Sequence, residues 1–171
     1  WPMLRTIPNN THASLMQRYA IDFPSLLTVN GRTLKNEKVK SLTLNGVLTV
    51  QSEFDTPAAI SLTRTIFPST VDPLLCERYL LRNNSGRPVT ITIPELKTTY
   101  QTDPDKGVEG SYTIEIGIQH PGLYKLAAGQ EVSFSACIQA YSKNQTFIAA
   151  DVVQELKKRE DFIARMWNDL V

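Results

Sequence analysis

Seventeen acidic residues, two histidines and two cysteines carry most of the reactive chemistry open to this 171-residue chain. Paired carboxylates come first, because two of them suffice for general acid and base work on a glycosidic bond. Glu53 and Asp55 flank Phe54 at the end of an alternating run. Glu77 lies within LLCERYLL, among apolar neighbours and beside Arg78, while Glu95, Glu109 and Glu115 are scattered over strand-like and turn-like segments. With so many acidic residues, chance pairs are numerous. Acidic residues on strands usually face water, so an outward or ion-paired role for Glu77 outweighs a catalytic one. A Ser-His-Asp triad would have to use His12 or His120. His120 precedes Pro121-Gly122 in a turn and His12 sits in a polar lead-in, so surface histidines are expected at both.

The familiar catalytic signatures are missing: no G-x-S-x-G elbow, Walker loop, G-x-G-x-x-G or H-E-x-x-H occurs. Lys106-Gly107-Val108-Glu109-Gly110 has the composition of a loop and lacks the strand-then-helix context of a phosphate cradle. Cys76 and Cys137 are far apart and neither belongs to a C-x-x-C pattern. Strand alternation puts Cys76 on a face with Leu74 and Leu80, and Cys137 on one with Ser133, Ser135 and Gln139. Different surroundings follow, and two reduced, strand-embedded thiols are favoured over a disulfide. No structural metal and no cofactor is expected. Of fourteen aromatic residues only Trp1 and Trp167 are tryptophans; Tyr19, Tyr100 and Tyr124 fall in or near turns, where they serve equally as sugar platforms or as ordinary rim tyrosines. N-x-[ST] sequons stand at Asn9, Asn83 and Asn144.

These groups need a scaffold, and the composition describes it. Hydrophobic residues make up 42% and charged residues 20%, which is globular and fits one domain. Such a chain buries about 70% of its unfolded surface, enough for a core without metal or disulfides. Eighteen basic against seventeen acidic residues leave a net charge of +1 and no electrostatic footprint for nucleic acid or anionic membrane. No stretch approaches the length of a membrane span. The Trp1-Pro2 start, with no Met and no basic-then-apolar leader, is that of a processed or trimmed chain.

Organisation changes near residue 149. All ten Pro, all eight Gly and 36 of the 40 Val, Ile and Thr residues precede it; the last 23 residues carry nine charges. The first part has the composition of strands and turns, the second that of a helix. Ser25 to Val29 runs into Asn30-Gly31 and Ser41 to Leu44 into Asn45-Gly46, both strong type I′ hairpin signals. Alternating runs follow in AAISLTRTIF, LLCERYLLRN, RPVTITIPEL, SYTIEIGI and EVSFSACIQAYS. At least seven short strands, each apolar on one face, predict an antiparallel β-sandwich over residues 1–148. Residues 149–171 read as a C-terminal α-helix capped by Asp151, with Glu155–Arg159 and Lys157–Asp161 as i,i+4 pairs. Its stripe comprises Val152, Val153, Leu156, Ile163, Met166, Trp167 and Leu170. Two readings stand: the stripe packs on the sandwich, or its end belongs to something downstream, because Met166, Trp167, Leu170 and Val171 make a poor solvent surface.

The segment LTRTIFPSTVDPLLCERYLLRNNSGRPVTITIP, with an F-P-S turn followed by L-x-N-x-S-x-x-P-V-x-I, resembles the N-terminal β-sandwich, or supersandwich, domain of six-hairpin glycosidases. HASLMQRYAIDFPSLLTVNGRTL and LTLNGVLTVQSEF fit the same domain, and VVQELKKREDFIARMWNDLV resembles the linker helix that leads into the (α/α)6 catalytic barrel. The resemblance implies a non-catalytic accessory domain of a glycoside hydrolase, packed on a downstream catalytic domain of the same polypeptide. It also implies an oligo- or polysaccharide context and export to the periplasm or cell exterior. The family's acid and base lie on the barrel, so no catalytic residue carries over. The expected interdomain contact is Ile163, Met166, Trp167 and Leu170. The alternatives are a free-standing carbohydrate-binding module and a protein-interaction sandwich; a compact enzyme using Glu77 or Glu53 ranks last.

Overall fold

The computed structural model describes residues 21–106, 110–145 and 149–169. In chain order the strands are β1 (Thr28–Val29), β2 (Arg32–Thr33), β3 (Lys38–Leu44), β4 (Leu48–Phe54), β5 (Ile60–Pro68), β6 (Leu74–Asn83), β7 (Val89–Ile93), β8 (Lys97–Gln101), β9 (Tyr112–Gln119), β10 (Gly122–Leu126) and β11 (Glu131–Ser142). One helix, α1 (Val152–Asn168), follows. The strands form two antiparallel sheets, a four-stranded one ordered β10-β7-β1-β2 and a seven-stranded one ordered β3-β4-β5-β6-β11-β9-β8. The expected mainly β, antiparallel sandwich with a C-terminal helix is what the chain forms.

The two hairpin signals diverge. Asn30 and Gly31 both take positive φ (51° and 74°) between the partners Val29 and Arg32, as a type I′ turn requires. Asn45-Gly46 instead belongs to a three-residue loop between the partners Leu44 and Leu48, with only Gly46 left-handed among the three. The extra residue, Val47, tucks its side chain under α1. Ser25 and Leu26 belong to a 3-10 turn (Phe23–Leu26) rather than to β1.

Period-2 alternation gives each central strand two different faces. On the inner face Ile60, Leu62, Tyr79, Leu81, Ile116, Phe134 and Ala136 meet Val29, Val89, Ile91 and Ile93 of the smaller sheet. Tyr79 and Phe134, register partners on β6 and β11, stack with centroids 4.5 Å apart, and Phe23 meets Tyr79 edge-on at 6.0 Å. The outer face carries a second, smaller cluster: Val47, Phe67, Leu74, Cys76, Cys137 and Val152. The L-x-N-x-S pattern has a local cause. Asn83 is fully buried where β6 leaves its sheet; its amide donates to the carbonyls of Arg87, Leu126 and Ala127, and its Oδ1 accepts from Ser85 N and Oγ. Buried and committed in this way, Asn83 is not a glycan acceptor, whereas the Asn144 side chain is exposed and Asn9 lies outside the described residues.

At one edge of the large sheet, β3 exposes Val39, Leu42 and Leu44. A bulge between Val39 and Ser41 and the ion pairs Lys38–Asp55 (2.6 Å) and Lys40–Glu53 (3.0 Å) blunt that edge against further strand pairing. No described helix is long and apolar enough to cross a membrane.

Candidate functional site

The outer face of β4, β5, β6 and β11 is where α1 docks, and sequence features at both ends of the contact explain how. Asp151 caps the helix, its Oδ1 accepting from Val153 N (3.0 Å) and Gln154 N (3.2 Å), which satisfies two of the donors a helix start leaves open. Val152 then seats over Cys76 and Cys137, and Gln119 Nε2 donates to Ala150 O at 2.9 Å. One turn on, Glu155 is buried and accepts from Ser69 Oγ (2.6 Å) and Lys158 Nζ (2.6 Å). Ser69 is the serine of the F-P-S turn, and Phe67 of the same turn packs in the cluster beneath the helix. The hydrogen bonds from Lys158 and Ser69 hold the Glu155 carboxyl below its ordinary pKa despite its burial.

The i,i+4 pair expected between Glu155 and Arg159 is therefore replaced by an i,i+3 pair with Lys158. Arg159 reaches instead across to the β3–β4 loop, donating from Nε to Gly46 O at 3.2 Å, with its guanidinium 5.5 Å from the Phe162 ring centroid. Asp161 makes no ion pair with Lys157 among the described residues. Ile163 abuts Gly46 so closely that an added Cβ there would lie 2.6 Å from Ile163 Cδ1. The position is glycine both for its left-handed φ of 86° and for this contact.

Beyond Ile163 the helix parts from the sheet. Met166 is 49% and Trp167 62% exposed, while Leu170 lies outside the described residues. The predicted contact set thus divides: Ile163 packs on the sandwich, and Met166 and Trp167 face solvent. Val153, counted in the apolar stripe, is also exposed. Between the rising helix and the sheet opens a groove of about 510 Å³, with Asn45, Thr49, Thr65 and Arg78 on one wall and Glu160, Ile163 and Trp167 on the other. Thr49, Thr65 and Arg78 are register neighbours on the outer face of β4, β5 and β6. A planar guanidinium, a carboxylate, an amide and an indole in one polar groove are the groups that bind hydroxyl-rich ligands. Sequence reasoning misses Arg78, Glu160 and Asn45; the signal open to it is the polar outward positions on strands that lie beneath an amphipathic helix.

The two cysteines correct another expectation. Cys76 and Cys137 are direct register partners on β6 and β11 and share one buried cluster, both as free thiols. Face assignment within each strand holds, but the polar neighbours of Cys137 sit along its strand while its cross-strand neighbours are apolar.

On the opposite face, Glu77 points inward rather than to water. Tyr79 Oη donates to its carboxylate, and Arg64, whose Nη2 holds Glu37 Oε1 at 3.0 Å, lies close enough to favour its charged form. Burial dominates nonetheless and raises the Glu77 pKa, while burial and the adjacent carboxylate raise Tyr79. In this cluster Tyr79 engages Glu77 and Arg64 engages Glu37, which leaves Arg64 Nε as its one buried, unpaired donor among the described residues. The remaining candidates disperse: Glu53 and Asp55 pair with edge lysines, Glu95 is exposed, and Glu115 pairs with Lys97 at 2.9 Å. His120 sits at positive φ in its turn and accepts at its carbonyl from Tyr124 Oη (3.0 Å). Tyr100 is the penultimate residue of β8, near its end, whereas Tyr124 lies at the middle of β10. His12, Trp1, Tyr19 and Gly107 to Glu109 fall outside the described residues. No family model matches the chain, and no curated relative is found for it.

Proposed function

We propose that this chain is the non-catalytic N-terminal accessory domain of a glycoside hydrolase of the six-hairpin type. On this reading α1 is the linker helix into a downstream catalytic helical barrel, and the whole polypeptide works on an oligo- or polysaccharide in the periplasm or outside the cell. The observation that carries the reading is the division of α1: its first three turns are fixed to the sheet by capping, hydrogen bonds and packing, whereas Met166 and Trp167 stay uncovered. A Trp and a Met side by side at the free end of a helix are strong anchors for an interdomain contact. The sandwich would shield one face of the barrel and shape the substrate cleft from its rim. An antibody against this chain, applied to an extract of its source, tests the reading. A band several times heavier than 19.2 kDa is expected; a band near 19.2 kDa would overturn it.

The polar groove beside Trp167 favours a second reading, a carbohydrate-binding module acting alone. It requires saturable binding of glycans by the isolated chain, read by quenching or shift of Trp167 fluorescence in a Trp1→Phe background. No binding under those conditions removes it.

A further inference from the structure

We propose that Cys76 and Cys137 form a reactive dithiol, a site of thiol–disulfide exchange at which β6 and β11 become covalently joined beneath α1. The register makes them directly opposite across an antiparallel pair. Such residues have Cα atoms about 4.5 or 5.5 Å apart, depending on the hydrogen-bonding site, and both values lie within the roughly 4.4–6.8 Å that a disulfide spans. Both side chains leave the outer face of the sheet into the same cluster, with Phe67 and Leu74 around them and Val152 above. A bond can therefore form without rearranging either strand.

The two thiols are unequal. Each faces the other across the strand pair, and burial works against the thiolate at both. Cys76 has no exposure and Cys137 has 6%. Beside Cys137, a groove of about 570 Å³ is walled by Ser135, Gln119, His120 and the start of α1, including Val152. Ser135 precedes Cys137 by two on the same face, so this groove opens at the Cys137 side of the pair. These features make Cys137 the attacking group and Cys76 the resolving one.

With a low-molecular-weight disulfide such as glutathione disulfide as oxidant, Cys137 Sγ loses its proton to solvent and attacks one glutathione sulfur. The glutathione S–S bond breaks, and one glutathione leaves as a thiolate that takes up a proton. Cys76 Sγ, deprotonated in turn, attacks Cys137 Sγ and expels the second glutathione. Two protein thiols are oxidised and one glutathione disulfide is reduced to two glutathiones.

The test uses the folded chain with glutathione disulfide, thiol titration and intact mass. Wild type is expected to go from two free thiols to none as a monomer whose mass falls by two hydrogens, with the peptides of Cys76 and Cys137 joined. Reduced protein unfolded in urea supplies the two-thiol reference. Cys76→Ser is expected to hold one glutathione on Cys137, and Cys137→Ser to remain unmodified. Wild type that keeps both thiols, or stops at a mixed disulfide, overturns the proposal. Equal reaction of the two serine variants overturns the assignment of Cys137 as attacker. The wild-type titration and peptide map stand even where a serine variant fails to fold.

Discussion

The inner face of the seven-stranded sheet meets a second sheet, whereas its outer face meets one helix and, past Ile163, water. Among the described residues the inner cluster contains seventeen buried members and the outer one six, so most of the fold's free energy resides between the sheets. The two faces also treat a carboxylate in opposite ways. Glu77, inside, is dominated by burial, which favours its protonated form. Glu155, under the helix, is dominated by hydrogen bonds from Lys158 and Ser69, which favour its charged form. The inner face is built for permanence, and the outer one is a polar seam that fixes where a helix lies without enclosing it.

The comparison breaks most visibly if an inner residue proves dispensable. Phe134→Ala removes the ring stacked on Tyr79 and should cost about 3–5 kcal/mol in urea unfolding. An effect below that of the outer-face changes would mean that the core is not where the packing places it. Next comes Gly46→Ala, which combines a left-handed φ with a clash against Ile163. We expect about 1–2 kcal/mol of destabilisation together with faster amide exchange at the end of α1, since the helix must swing outward. Asp151→Ala removes both capping bonds and should cost about 1 kcal/mol, measured as loss of helical ellipticity while the strand signal is kept.

The smallest effect is the one that separates the two faces by sign. Glu155 has a lowered folded pKa, so its contribution is present above the ordinary carboxylate range and is lost as pH falls through the folded value. Glu155→Gln should therefore be less stable than wild type near neutrality, the gap closing on acidification. Glu77 has a raised folded pKa, so its favourable contribution is present below the ordinary range and is lost as pH rises through the folded value. Glu77→Gln should gain on wild type towards neutral pH, because an amide still accepts from Tyr79 without carrying a charge. Unfolding of both variants across the acid range checks this; parallel curves would erase the distinction between the faces.

Several features are legible in the order of residues alone. Runs such as VTITI and SYTIEIGI show their buried face by alternation, Asn30-Gly31 names its own turn, and Asp151 names its own helix start. The candidate site is only half legible. Trp167 and Ile163 are visible in the helical stripe, but nothing along the chain separates the residue that packs from the one left in water. Asn45-Gly46 misleads because a two-residue turn and a three-residue loop with a buried Val47 begin with the same pair.

What the sequence determined by itself is whatever depends on neighbours within a few positions: strand alternation, turn chemistry, helix capping, and the order of sandwich before helix. Tertiary structure decided which distant strands lie side by side and in what register. Cys76 meets Cys137 because β6 pairs with β11, and Glu77 turns inward to Tyr79 and Arg64 because that face of β6 meets the second sheet. Glu155 finds Ser69 because α1 crosses the end of β5. Local preferences act through backbone torsions and one side chain's reach. Register and docking are set by packing summed over the whole sheet, a sum that no short window of sequence contains.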